Sequence, residues 1–250
     1  MRRLGLPKAP ELLVGVDSDG QPVQRGTADA TVSVSTLNGG ELGTAPGLDD
    51  VPTMAFPAFR SAGPYPRAVV QARVNGPTDT LNPDVSRFLY GADIKLDADS
   101  AGRSEDNGNN VIQRGLSSDT AMFKLEMDAD RRPGCTVQGS AGSLSVLSPQ
   151  PVEPGMWYRV RCQVRRNVIR VLVTEYLPSG SAMTSGRENR GAVGPVAFPG
   201  TEVPVAIGGK LAQDGSVITS ATDQFNGLIV NAFVVVGRVF GSDRAQPRTG

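Results

Sequence analysis

Alternation with a period of two constrains this chain more than any other feature. Ala68, Val70, Ala72 and Val74 share one face of an extended segment. Phe88, Tyr90, Ala92, Ile94 and Leu96 do the same, with Arg87, Asp93, Lys95 and Asp97 opposite. Ala121, Phe123, Leu125 and Met127 alternate with Met122, Lys124, Glu126 and Asp128, and Tyr158, Val160, Cys162 and Val164 alternate with Arg159, Arg161, Gln163 and Arg165. Successive side chains of a strand point to opposite faces, so each run reads as a strand with one face in a core. Arg166-Asn167 marks a turn, and Val168 to Thr174 returns as a hairpin partner. Pro204 to Ile207 and Phe225 to Val236 add further strands. About ten strands over roughly 190 residues predict an all-β fold, an antiparallel two-sheet jelly-roll β-sandwich.

The 30 glycines and 19 prolines suit short strands joined by turns. No run approaches the ~20 apolar residues of a membrane-spanning helix. Residues 1–52 are polar, Gly-rich and poorly patterned, and predict a weakly structured N-terminal arm with one short strand around Val32 and Val34. Residues 53–240 form the predicted sandwich domain and 241–250 a frayed tail. Met1-Arg2-Arg3 resembles the start of a signal peptide, but Pro7, Lys8, Pro10 and Glu11 interrupt the apolar stretch that would follow, so no complete signal is expected.

Charge and composition exclude much chemistry. Lys+Arg and Asp+Glu are 25 each, so no global field attracts nucleic acid. There is no histidine, hence no His-based triad, base or metal ligand. Two cysteines cannot complete a four-ligand zinc or iron–sulfur site. Carboxylate chemistry, an oxygen-ligated metal, or binding without catalysis remain. By parity Cys162 points inward with Tyr158 and Val160, and Cys135 points inward with Val137. Two inward cysteines on neighbouring strands fit either a disulfide or a pair of buried thiols.

The order of several motifs resembles bacterial secreted laminin-G-like domains, within the concanavalin A-like lectin/glucanase superfamily. The resemblance covers roughly residues 65 to 237. It rests on the run GNNVIQRGLSSDTAMFKLEMDADRRPGCTVQGSAG, then PGMWYRVRCQV, then PVAIGGKL, then ATDQFNGLIVNAFV. It implies a two-sheet jelly roll, a Cys135–Cys162 disulfide, and a home outside the cytoplasm, secreted or at the cell surface. It also implies a module for glycan or protein ligands.

Three clusters are candidate sites. Glu126, Asp128 and Asp130 recur at period two, a spacing similar to the ExDxE strand of family 16 glycoside hydrolases, where paired carboxylates serve as nucleophile and acid/base. They carry the alternative reading, a β-glycan hydrolase with Glu126 as nucleophile and Asp128 assisting. The oxygen-rich stretch from Asp97 to Asn110 suggests calcium, with Asp106, Asn107 and Asn109 as ligands and Asp223 as a further one. Arg159, Arg161 and Arg165 share a strand face, with no acid between Pro154 and Thr174, and suggest a surface for acidic ligands. Arginine outnumbers lysine 21 to 4 throughout, so Arg-rich strands also follow from composition alone. Trp157 is expected to pack structurally. Together these predict a monomeric, non-catalytic binding or adhesion module, with calcium as the one expected cofactor and no organic cofactor. The second alternative is a structural protein of the cell envelope.

Overall fold

The computed structural model describes residues 5–99, 109–177, 179–219 and 223–237. Its strands are β1 (Leu12–Val16), β2 (Pro22–Gln24), β3 (Ala30–Leu37), β4 (Gly43–Pro46), β5 (Pro52–Ala55), β6 (Arg67–Val74), β7 (Phe88–Leu96) and β8 (Asn109–Arg114). After these come β9 (Met122–Met127), β10 (Pro133–Gly139), β11 (Gly142–Leu147), β12 (Tyr158–Arg165), β13 (Val168–Tyr176), β14 (Ala182–Arg190), β15 (Val205–Ile207) and β16 (Gly227–Val236). They form two sheets. One runs β14-β13-β12-β7-β16-β1-β2, with β5 also on β16 and β4 on β5; the other runs β11-β10-β9-β8-β15-β6-β3. The all-β, two-sheet antiparallel sandwich read from the alternation is the observed fold.

The core lies between the sheets, where the alternating apolar residues meet. Phe88, Tyr90, Ala92 and Ile94 of β7 face Phe123, Leu125 and Met127 of β9, all buried. The Tyr90 and Phe123 rings lie 4.8 Å apart. Burying such side chains stabilises by about 1.5–3 kcal/mol each, which makes the inward parity of every strand binding on its register. The Tyr90 hydroxyl crosses the core and is shared between the carbonyls of Thr136 (3.0 Å) and Lys124 (3.2 Å) on the facing sheet. Burial pushes that phenol well above the ordinary tyrosine value.

Cys135 and Cys162 form a disulfide. Their strands are not neighbours, as the parity reading supposed. Cys135 is on β10 of one sheet and Cys162 on β12 of the other, so the bond passes through the core and ties the layers together.

The weakly structured arm expected for residues 1–52 is not what the chain builds. β1 inserts between β16 and β2, pairing Leu12 with Val234, and β3 pairs along its whole length with β6. Leu12 and Val14 are fully buried. LLVGV is therefore a short core strand, and the polar residues after it sit on edge strands, where few side chains need be apolar. The tail 241–250 lies outside the described residues.

On the outer side of the nine-stranded sheet the alternation places charge, yet much of it is buried. Asp93 of β7 accepts from Arg159 Nε (2.7 Å) and Nη2 (2.8 Å), from the Tyr176 hydroxyl (2.9 Å) and from Asn231 Nδ2 (2.8 Å). A β-bulge in β16, at the register shift between Val230 and Phe233, aims Asn231 at this carboxylate. Burial raises the Tyr176 phenol's pKa, and the neighbouring Asp93 charge raises it further.

Two outcomes are expected. Replacing the cysteines together, Cys135→Val with Cys162→Ala, should lower stability by about 3–4 kcal/mol in denaturant melts, the entropy of the loop they close. Asp93→Asn leaves the Arg159 charge buried without its counter-ion and should cost about 3–5 kcal/mol in the same assay.

Candidate functional site

The outer face of the seven-stranded sheet carries a groove of about 350 Å³ with a mixed polar and apolar lining. Gln113 of β8, Met122, Lys124 and Glu126 of β9, and Thr136 of β10 form its floor. Its walls are Leu116, Ser117 and Ser118 on one side and Lys210 and Ile218 on the other.

Local chemistry places each of these groups. β8 carries a β-bulge, with the register shifting by one residue between Asn110 and Ile112. Two residues three apart, which a regular strand would send to opposite faces, therefore come to one face. Asn110 Nδ2 donates to Gln113 Oε1 (3.0 Å) and to the Gly209 carbonyl (2.6 Å). The motif Gln113-Arg114-Gly115 divides its work. Gln113 faces the groove and donates to the Gly115 carbonyl (2.6 Å). Arg114 turns inward and forks onto both oxygens of Asp79 (3.2 and 2.7 Å), its guanidinium lying over Phe198. Gly115 has φ 72° and backs onto the Ala121 carbonyl, where no Cβ would fit. The wall bearing Lys210 stands on the sheet through Leu211 and Val217, which pack over Val69 and Ala206.

Four charges organise the floor. Lys124 pairs with Glu126 and with Asp223 Oδ2 (3.1 Å), and Lys210 pairs with the same Asp223 oxygen (2.8 Å). Asp223 is 2% exposed, whereas Lys124, Lys210 and Glu126 keep partial access to solvent. Burial alone would lower the Lys124 pKa, but Glu126 and Asp223 together outweigh it and hold the ammonium above the ordinary lysine value. The set sums to zero charge. It presents ammonium donors beside a carboxylate acceptor.

The groups singled out in the sequence fall differently from the expectation. Glu126 is at the groove, but Asp128 and Asp130 are not beside it on a strand face. β9 ends at Met127, and Asp128 opens the hairpin turn. Its Oδ1 accepts from the amides of Asp130 (2.9 Å) and Arg132 (2.8 Å), and its Oδ2 from Arg132 Nε (2.9 Å). Asp130 is exposed and pairs with Arg132 (3.2 Å). The three carboxylates at period two therefore do not assemble, because local turn bonding takes the second and third.

The basic stripe is also divided. Arg159 is 2% exposed and committed to Asp93, while Arg161 and Arg165 are half-buried on the same outer face. Arg159 is thus a structural counter-ion and not an open contact for an acidic ligand. Trp157 is half-buried on the sheet opposite the groove's, with the Lys95 ammonium 5.9 Å from its ring centre.

Of the expected calcium ligands, Asp106 and Asn107 lie outside the described residues. Asn109 and Asp223 do not fit the ion. Asn109 Oδ1 already accepts from the Asn226 amide (2.7 Å), and Asp223 sits between two ammonium groups that would repel a cation. No cluster of three or more His, Cys, Asp or Glu side chains suited to a metal occurs among the described residues. Nor is any described helix long and apolar enough to cross a membrane.

No protein-family model matches the chain, and no curated protein matches it. Solved structures do share the fold. The binding domain of Paraclostridial Mosquitocidal Protein 1 aligns over 93% of this chain and 50% of its own, at 9% identity and TM-score 0.57. The Botulinum neurotoxin serotype D binding domain aligns over 93% and 48%, at 10% identity and TM-score 0.55. The enzymatically active domain of Bacteriophage CBA120 tailspike protein 2 aligns over 84% and 29%, at 14% identity and TM-score 0.52. The chain spans half the length or less of each. At these identities the likeness is one of fold.

Asp223→Asn tests the floor. Removing one of the two carboxylates that oppose burial should lower the Lys124 titration midpoint, followed by NMR of the lysine side chains. It should also cost about 1.5–3 kcal/mol of stability, the worth of hydrogen bonds to a charged group.

Proposed function

We propose that this chain is a laminin-G-like, non-catalytic binding module that acts outside the cytoplasm, at the cell surface or beyond it. Its ligand is an uncharged, hydroxyl-rich molecule, a glycan, held in the groove over Gln113, Lys124, Glu126 and Lys210. The observation that carries this reading is the charge-balanced floor. A neutral hydroxyl both donates and accepts, which matches two ammonium groups held by Asp223 and the Glu126 carboxylate held by Lys124. An anionic ligand would gain little from a set whose charges cancel.

Catalysis by paired carboxylates finds no support in this geometry. A glycosidase needs two carboxylates flanking the scissile bond with room between them for substrate and water. Here Glu126 and Asp223 meet the same Lys124 ammonium, which fills that space, and Asp223 is buried beneath it. The fold neighbours include two binding domains and one enzymatically active domain, so the fold alone favours neither. The Cys135–Cys162 disulfide supports an oxidising compartment, since such bonds persist mainly outside the cytosol.

The test is a glycan array followed by calorimetry on the neutral glycans it selects, with Glu126→Gln and Lys210→Met beside the parent chain. Each variant should weaken binding at least tenfold, and affinity should change little with salt. An empty array, binding indifferent to both substitutions, or release of reducing sugar from β-glucans would overturn the proposal.

A further inference from the structure

The two sheets end in strands whose outer edges differ in one respect. A bare edge offers unpaired N–H and C=O groups to any extended chain, and folded proteins normally blunt it. β2 has three residues and begins with Pro22, which has no N–H. β4 has four residues and ends in Pro46. β14 carries Arg187, Glu188 and Arg190. The β11 edge is capped, since Asn189 Nδ2 donates to the Ser145 carbonyl (2.8 Å) and the turn after β10 bonds to Pro195 and Val193. β3 has none of these devices. It is eight residues long, ATVSVSTL, without charge, proline or bulge.

The phase of its hydrogen bonding follows from its neighbours. The Asn75 amide donates to the Asp29 carbonyl (2.9 Å), so the odd-numbered residues of β3 bond to β6. Gln224 confirms the phase from the other side, bonding both the amide and the carbonyl of Ala68 on the edge of β6 that faces away from β3. Ala30, Val32, Val34 and Thr36 therefore turn their backbone groups outward, and among the described residues no backbone group meets them. Along that same edge run two hollows that share Pro22, one of about 350 Å³ at Ala30 and Val32 and one of about 490 Å³ at Val34 and Thr36. They open between β3 and β2, the edge of the opposite sheet, whose backbone comes within 8 Å of β3, so an added strand extends the sheet of β3 outward past β2.

We propose that this groove is a strand-addition site for an extended peptide segment, distinct from the glycan groove and independent of it. The peptide pairs antiparallel or parallel with β3 through the backbone of Ala30, Val32, Val34 and Thr36. Charge selects the occupant. Asp29 lines one end of the groove and Glu41 the other, both exposed, and no lysine or arginine lines either hollow. The fitting segment has small uncharged side chains in its middle and a basic residue at each end. A second copy of this chain fits worse, because two-fold pairing of β3 with itself would bring Asp29 of one copy toward the Glu41 end of the other.

The probe is a synthetic peptide, Lys-Val-Thr-Val-Ser-Val-Lys, blocked at both ends, titrated into the full chain. Amide exchange should show Val32, Val34 and Thr36 open to solvent alone and protected with peptide, while Ser33 and Ser35 stay protected throughout. N-methylating every inner residue of the peptide should abolish binding, and replacing its lysines by glutamates should weaken it at least tenfold. Thr36→Pro should abolish binding while leaving the melt near that of the parent, since its N–H meets no acceptor among the described residues. If that variant unfolds, Asp29→Lys with Glu41→Lys should still reverse the preference for basic ends. No protection at millimolar peptide, equal binding of the N-methylated form, or indifference to the end charges would overturn the proposal. So would self-association of the chain through β3, which would make a second copy the occupant.

Discussion

The bond between Cys135 and Cys162 fixes how the two layers of this sandwich face each other, and the groove depends on that alignment. Cys135 sits on β10, whose outer side supplies Thr136 to the groove floor, and the Tyr90 hydroxyl reaches from the far sheet to the carbonyls of Lys124 and Thr136. The strands under the site are therefore held from behind at two adjacent points, one covalent and one polar. A floor anchored in this way keeps Lys124 and Glu126 in place, the preorganisation that the proposed binding needs.

Buried charge is treated in two ways on the two outer faces. At Asp93 every partner is internal, and Arg159, Tyr176 and Asn231 close around the carboxylate. At Asp223 the partners are two lysines that retain access to solvent, with Glu126 balancing one of them. The first network is a finished structural unit, and removing either side leaves a charge stranded. The second leaves ammonium hydrogens and a carboxylate oxygen directed at a groove. The two are equally ionic, and this difference in completion is what sets the structural network apart from the proposed binding surface.

Much of the fold was legible in the sequence because period two survives wherever one strand face meets the core. β6, β7, β9, β12, β13 and β16 announce themselves in this way. β14, with AMTSGRENR exposed along most of its length, has no apolar face to show. Of the first five strands only β3 showed, as a short strand around Val32 and Val34, and the rest were hidden for a related reason. β1 is too short to establish a period, and β3 lies at an edge where only Val32 and Val34 pack against the core. The site was less legible than the fold. Glu126 and Asp223 were visible as acids, but their common partner Lys124 was read only as one residue of a polar strand face. Lys210 stood in the PVAIGGKL motif without being read as a site residue, and it reaches the site through a loop that begins at Gly208, where φ is 80° and the backbone packs against Phe56. The bulge that brings Asn110 and Gln113 to one face breaks the period on which the reading relied. The carboxylates of Asp128 and Asp130 matched a catalytic spacing, but the strand stops before them.

The most direct measurement is hydrogen exchange over the whole chain, with and without a mixed pool of neutral glycans, because it locates contact without choosing the site beforehand. Added protection is expected at residues 113–126 and 209–218, with no change across β12 and β13 on the opposite sheet. Protection confined to the outer face of the nine-stranded sheet, or none on the groove strands with a bound glycan, would contradict the proposed site.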